Sequence, residues 1–289
     1  ANKTMAWAEV EAFLVDDDPV VVFTRTCGCV IWWCLFRLSL SHLVFCGSVV
    51  HGTKCTAAIH ATVQAIAITW VVTHDPNISP LYWALLRFRL ADADILNVTS
   101  PAVSFLATLA AGEFGMQMLH LRAWYEKPAD LVLVAHHVLC LVLWPTNVAN
   151  RRGLLFVTVF LTYEISTPFL MALFFDNVKK TSVIKLLVGT AFMLSFVLVR
   201  LGTLPATLVA CYKSLNEFPS PNLPRWYTGQ YAFAMSNVER LTAFVPLLVN
   251  SHWGLLVIRG YLRALRSTLL KPAGVSTGDT VETKTRKAD

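Results

Sequence analysis

Long apolar stretches separated by short polar connections dominate this chain. In windows of about 19 residues, close to the length needed to cross a bilayer, seven stretches are apolar enough to be membrane-spanning helices. They lie near residues 28–50, 54–73, 97–121, 129–148, 153–175, 183–211 and 231–258. Leu81–Leu90 is also apolar but too short to cross, so we expect it to lie at the membrane interface or between the spans. The pattern therefore predicts an all-α, multi-pass transmembrane helix bundle of about seven spans.

The composition supports a membrane protein and excludes several other classes. Of the 289 residues, 55% are hydrophobic and only 15% are charged, whereas soluble domains carry about 25% charged residues. These values exclude a disordered chain, a disulfide scaffold and a collagen-like fibre. The net charge of +6 arises mainly from Lys and Arg in connections and at the C-terminal end. We therefore expect contact with the membrane surface and no nucleic-acid partner. The seven cysteines have no recurring paired spacing and are predicted to be free thiols.

The two ends of the chain differ from its apolar middle. Residues 1–25 carry several acidic side chains and are predicted to form an N-terminal segment outside the membrane. Residues 26–265 form the predicted transmembrane domain, and residues 266–289 form a polar C-terminal tail. A tail of this composition becomes ordered only when it binds something. Protein partners are therefore expected at the N-terminal segment and at the tail.

Six charged residues lie well inside the predicted spans, away from the first and last turns of each span. They are Arg37, Glu113, Glu164, Arg200, Glu239 and Arg240. Each would cost roughly 2.5 to 3.5 kcal/mol if it faced lipid near the bilayer centre, so we expect all of them to face inward. Glu164 and Arg200 lie near the middle of consecutive spans and form the best candidate for an ion pair. Two interpretations remain open: a buried pair that fixes helix packing, or a polar cavity within the bundle.

Three histidines in the spans favour the cavity. His60 lies in the second span, and His136 and His137 are adjacent in the fourth. Neighbouring residues on a helix point about 100° apart, so we expect only one of the pair to point directly into a cavity. Imidazole can act as a general base or as a transient acyl acceptor, and Glu164 could orient it. No span has two histidines three or four residues apart, so no metal site is predicted.

One proline has a local effect that can be predicted from its position. Pro168 removes a backbone hydrogen bond four residues after Glu164, so we expect the fifth span to kink there and free a carbonyl near the cavity. Ser166 and Thr167 can satisfy backbone groups at the kink. Pro205 is expected to act similarly in the sixth span, five residues after Arg200.

Five landmarks in this order resemble a known family. They are residues 55–61 (CTAAIHA), Asp130 followed by His136-His137, residues 164–170 (EISTPFL), Val199-Arg200 with Pro205, and Asn250 with Trp253 and Gly260. Over about residues 25–265 the chain resembles the TLC-domain membrane proteins, which include the ceramide synthases and the translocation-associated membrane proteins. The EISTPFL stretch looks closest to a branch with a Ser-Thr-Pro-Phe motif, whose members are tied to phospholipid composition.

The resemblance implies six to eight helices around a lipid-accessible cavity that contains the histidine pair. In the ceramide synthases this cavity takes a fatty acyl-CoA and passes the acyl group to a sphingoid amine. The present chain lacks the longer acidic stretch after the histidine pair, and it has Glu113 where the family often has aspartate. Both departures disfavour sphingoid acylation. We expect a bound phospholipid or acyl chain and no other cofactor, unless acyl-CoA serves as a substrate.

Two functions remain open from the sequence. The first is a lipid-binding accessory subunit of a larger membrane complex. Its lipid-binding residues are predicted to be His60, Glu113, Thr167, Pro168 and Arg200. The second is an acyl-CoA-dependent acyltransferase for a lipid or amine acceptor, with His136, His137 and Glu164 as catalytic residues. The expected location is the endoplasmic reticulum or an organellar inner membrane such as that of mitochondria.

Overall fold

Every regular element is helical in the part of the chain that the structure describes. The computed structural model describes residues 18–89, 96–120, 131–173, 175, 182–214 and 237–269. In chain order the α-helices are α1 (Pro19–Ser39), α2 (Val49–His74), α3 (Ser79–Leu86), α4 (Pro101–Leu119), α5 (Leu131–Ala149), α6 (Leu154–Thr162), α7 (Thr167–Ala172), α8 (Ser182–Ser195), α9 (Gly202–Ser214) and α10 (Asn237–Leu269).

Seven helical stretches are long and apolar enough to cross a membrane, which confirms the predicted architecture. They are Pro19–Val44, Val49–His74, Pro101–Leu119, Leu131–Ala149, Leu154–Ala172, Val183–Tyr212 and Thr242–Arg266. The first and last stretches differ from the predicted 28–50 and 231–258. Hydropathy alone missed the start of α1, where the Asp18 side chain accepts hydrogen bonds from the Val20 and Val21 amides and Pro19 occupies the first turn.

The short helix α3 does not cross the membrane. Its Tyr82 and Leu85 side chains are buried in the apolar core among the spans. Burial raises the pKa of the Tyr82 phenol, so this side chain stays neutral. The α2–α3 turn is held by Asp75, whose carboxylate accepts hydrogen bonds from the Ile78 amide and from the Ser100 hydroxyl. The expectation that this apolar stretch packs between the spans is confirmed for the part of it within α3.

Small residues place α4 in the centre of the bundle. From Ala107 to Gly115 the helix contains three alanines and two glycines, and every residue except Leu109 is buried. A Cβ atom at Gly112 would lie 2.3 Å from the Cβ of Cys29 in α1, and one at Gly115 would lie 2.7 Å from the Val30 side chain. In membranes such small residues let helix backbones approach closely, which increases van der Waals contact.

Two spans change helical form at the polar residues singled out from the sequence. The fifth span passes from α6 through a 3₁₀ turn (Tyr163–Ser166) into α7, whose first turn contains Pro168. The sixth passes from α8 through a π-helical turn (Phe196–Leu201) into α9, which contains Pro205. The structure shows a tightened turn just before Pro168, and the Glu164 carbonyl there accepts a hydrogen bond from the Thr167 amide. The kink and the freed carbonyl stay predictions. Such departures are frequent where helices carry functional side chains.

Some predictions fall outside the described part of the chain. Residues 1–17 and 270–289, Asp130, and the side chains of Glu239 and Arg240 belong to this group. The proposed N-terminal and C-terminal docking segments therefore stay predictions.

Candidate functional site

A cavity of about 290 Å³ lies between the spans. This volume is near the lower end for small-molecule sites in proteins, and the cavity is partly open. Its polar walls are formed by His60, Glu113, Gln117, His136, His137, Glu164, Thr167 and Arg200. Its apolar walls are formed by Ala57, Ala61, Phe114, Leu133, Leu170, Met171, Phe192, Phe196, Trp253, Leu256 and Val257. Charged and apolar groups therefore share one space within the membrane-spanning part of the molecule.

The structure brings nearly all the candidate residues together. The candidates that line the cavity are His60, Glu113, His136, His137, Glu164, Thr167 and Arg200. Pro168 does not contribute to the wall, and its place in the first turn of α7 shapes the backbone beside it. Because five different spans supply these residues, only the tertiary structure assembles the site.

Arg200 is held in place by three neutral partners. It lies in the π-helical turn, and its Nε donates a hydrogen bond to the Ser166 hydroxyl at 2.9 Å. One terminal nitrogen donates to Oδ1 of Asn250 at 3.0 Å, and the other donates to Oγ1 of Thr167 at 3.1 Å. These bonds tie the fifth, sixth and seventh spans to a single guanidinium. Ser166 and Asn250 were landmarks of the resemblance but had not been predicted to be site residues.

Glu164 interacts with Arg200 without sharing any of these hydrogen bonds. The two charges attract each other, and the Thr167 hydroxyl that accepts from Arg200 lies beside Glu164 in the cavity wall. The guanidinium carbon lies 5.1 Å from the Phe196 ring centre and 5.6 Å from the Tyr163 ring centre. The predicted pairing of Glu164 with Arg200 thus takes the form of a charge interaction with a hydroxyl between the two groups.

A second polar group surrounds Glu113. One carboxylate oxygen accepts a hydrogen bond from Nε2 of Gln117 at 2.5 Å, and the other lies 3.8 Å from Nδ1 of His60. The His60 ring packs edge-on against Trp33, with ring centres 5.1 Å apart. Gln117 was not predicted, although it lies four residues after Glu113, the spacing that places two side chains on the same helix face.

Both adjacent histidines line the cavity, and the prediction that only one of them points directly into it stays a prediction. His137 stacks on Phe114 with ring centres 4.8 Å apart, and His136 packs edge-on against Trp253 at 5.4 Å. The Sγ atom of Cys140, one turn further along α5, lies 3.7 Å from Nδ1 of His136. The cavity extends across enough of the α5 surface to contact two side chains that diverge from the helix. The buried Nδ1 of His137 has no hydrogen-bond partner among the residues that the structure describes.

Metal binding has no geometric support within the described ranges. Among those residues, no group of three or more His, Cys, Asp or Glu side chains is placed to hold a metal ion. The site can therefore be described by its donors, acceptors and charges. Arg200 supplies N–H donors, the two glutamates supply acceptors, and the imidazoles can do either.

Comparison with known families agrees with this architecture. The family model for the TLC domain matches residues 51–259, which include every residue of the cavity wall. No curated protein and no solved structure matched the chain. The match covers well over half of the sequence, and the seven apolar helices make the protein integral to a membrane. This chain belongs to the TLC-domain family of membrane proteins.

Proposed function

We propose that the protein binds a membrane lipid in this cavity, with the polar part of the lipid beside the glutamates, the histidines and Arg200. The observation that carries the proposal is that one cavity joins these groups to a largely apolar wall. His60, Glu113, Thr167 and Arg200 are the proposed lipid-binding residues, and Pro168 supports Thr167 through the backbone. A polar cavity in the membrane is costly to leave unfilled, because charges and unpartnered polar atoms there have little water to solvate them.

The depth of one residue in the cavity wall supports a ligand that comes from the bilayer. Leu256 lines the cavity, and 48% of its surface is exposed. It lies in the span Thr242–Arg266, about 21 Å along the helix from Thr242 and about 15 Å from Arg266 at 1.5 Å per residue. This apolar part of the wall therefore lies at the depth of the acyl chains of the membrane, which favours a resident lipid over a water-soluble ligand.

Narrowing the cavity at Leu256 should reduce lipid binding. We expect Leu256→Trp to lower the amount of lipid retained per protein chain by at least half, because the larger ring reduces the space at the cavity wall. Leu255→Trp is the matched control, since Leu255 is 57% exposed and does not line the cavity. Mass spectrometry of the protein purified in mild detergent measures the retained lipid. Equal retention by the two variants would contradict the proposal.

The proposed role of the lipid-binding bundle is that of an accessory subunit in a larger complex of the endoplasmic reticulum or the mitochondrial inner membrane. Its support is the composition of the two chain ends, one acidic and one rich in Thr and Lys, which are typical of docking segments. Gentle purification followed by mass measurement of the whole assembly tests this role. Recovery of the protein without other chains, from the membrane in which it is made, would argue against it.

Acyl transfer is a second candidate, because both imidazoles line the same cavity as Glu164. In this function His136 or His137 acts as the base or the acyl carrier, Glu164 orients the imidazole, and acyl-CoA supplies the acyl group.

We expect His136→Ala and His137→Ala each to lower acyl transfer at least 100-fold, consistent with loss of a general base. His252→Ala, which removes an exposed imidazole in α10, should leave the rate unchanged. Release of free CoA from acyl-CoA by the purified protein measures the rate. Variants that lose only stability would exclude this function.

A further inference from the structure

The cavity wall carries both hydrogen-bond acceptors and a donor. Among the described lining residues there are two carboxyl groups, Glu113 and Glu164, and one guanidinium, Arg200. Burial favours the neutral form of a carboxyl group, but its oxygens accept hydrogen bonds in either form. A ligand with both N–H donors and acceptor oxygens would complement these groups.

Arg200 keeps donors for a ligand. A guanidinium has five N–H groups, and the three hydrogen bonds to Ser166, Thr167 and Asn250 use three of them. All three acceptors are neutral, so no hydrogen-bonded carboxylate cancels the guanidinium charge. The remaining N–H groups belong to a rigidly held side chain in the cavity wall. Such a group is suited to bind an oxygen of a phosphate.

The acidic side of the cavity offers acceptors. Glu164 is partly exposed, and Glu113 lines the same cavity. The side-chain oxygen of Gln117 and Nε2 of His60 are buried and have no hydrogen-bond partner among the described residues. A group with several N–H donors could bond to these acceptors, and a positive charge on that group would strengthen its bond to a carboxylate.

The aromatic rings of the wall are already engaged, which argues against recognition of a quaternary ammonium. Phe114 stacks on His137, Trp253 packs against His136, and Phe196 lies beside Arg200. A quaternary ammonium, which cannot donate a hydrogen bond, is usually bound by open aromatic faces. A primary ammonium can use the carboxylate oxygens instead.

We propose that the cavity selects a zwitterionic phospholipid with a primary ammonium, its phosphate bound to Arg200 and its ammonium bound to Glu164 beside Glu113. This inference rests on the proposed lipid-binding function and names the class of headgroup. It predicts that methylation of the ammonium weakens binding although the charge is unchanged. It also predicts that lipids with a phosphate but no cation bind less well.

Native mass spectrometry of the full chain in mild detergent tests the inference on the unmodified protein. The probes are phosphatidylethanolamine, phosphatidylcholine, phosphatidylglycerol and phosphatidic acid with identical acyl chains. We expect phosphatidylethanolamine to bind at least tenfold more tightly than each of the others. Soluble phosphoethanolamine should not displace it, because the apolar wall contributes to binding of the lipid alone.

A variant that neutralises Glu164 tests whether this residue causes the preference for one headgroup. Glu164→Gln should reduce the preference for phosphatidylethanolamine over phosphatidylcholine to less than threefold, whereas Asp18→Asn, outside the cavity, should preserve it. Equal binding of all four lipids would overturn the inference and leave lipid binding intact. Displacement by phosphoethanolamine would show that a soluble headgroup is sufficient and would argue against a lipid as the ligand. Failure to bind any of the lipids would instead overturn the proposed function. If Glu164→Gln does not fold, the lipid series on the unmodified chain still decides.

Discussion

Replacement of Gly112 by leucine should destabilise the bundle more than any other single change at a glycine described in the structure. A Cβ atom at this position would lie 2.8 Å from the Cys29 carbonyl carbon and 3.0 Å from the Val30 amide nitrogen. Both are backbone atoms of α1, so no side-chain rotation can make room, and the remaining leucine atoms need further space. Overpacking of a core costs about 1–3 kcal/mol when side chains can adjust, and we expect a loss above about 3 kcal/mol here. The midpoint of thermal aggregation in detergent measures the change.

Gly28 provides the control in the partner helix. A Cβ atom there meets nothing within 4 Å, and the residue is exposed on the lipid-facing side of α1. Leucine is favourable in lipid and a better helix former than glycine, so Gly28→Leu should leave the midpoint unchanged or raise it. Similar midpoints for the Gly112 and Gly28 variants would show that α1 and α4 are not in close contact in the membrane.

Removal of the Arg200 guanidinium should have the second large effect. Arg200→Met fills much of the same volume but leaves Ser166, Thr167 and Asn250 without their charged donor, and it leaves Glu164 without a nearby positive charge. Breaking one side of a buried charged network typically costs about 3–5 kcal/mol. We therefore expect the midpoint of thermal aggregation of Arg200→Met to be well below that of the unmodified protein, together with loss of bound lipid.

Two further variants test whether the charge of Arg200 or the geometry of its guanidinium stabilises the network. Arg200→Lys keeps the charge, but a lysine ammonium lacks the planar guanidinium geometry and cannot bond to all three acceptors. Its midpoint of thermal aggregation should therefore fall between those of Arg200→Met and the unmodified protein. Arg259→Met removes an exposed arginine from α10 and should change stability little. An Arg200→Met protein as stable as Arg259→Met would contradict the role assigned to this network.

The interior positions of the charged residues could be predicted because a single physical cost, that of a charge facing lipid, was sufficient to assign them. Glu113, Glu164 and Arg200 were assigned to the interior because a charge facing lipid is costly, and all three line one cavity. Asn250 and Ser166 were not assigned to the site. A neutral polar residue in a span carries a smaller penalty, so its presence says less about where it points. Their role became evident only when the Arg200 side chain was seen to reach both.

The histidine pair shows that the geometry of one helix does not determine which of its side chains line a cavity. The sequence places His136 and His137 on one helix, and the angle between neighbours predicts that only one of them points directly into a cavity. The structure shows a cavity wide enough to contact both, with Phe114 and Trp253 packed against the two rings. The shape of a cavity depends on several spans at once, so the geometry of a single helix could not predict it.

From the sequence alone, hydropathy determined the helical class, the number of spans and the inward direction of the buried charges, because the cost of placing polar groups in hydrocarbon applies to each segment separately. Only the tertiary structure decided that Arg200 binds three neutral partners, that Glu113 pairs with Gln117 near His60, and that Leu256 lines the same cavity as these groups. These features depend on the rotation and depth of helices far apart in the chain, which are set by close packing such as that of Gly112 against α1.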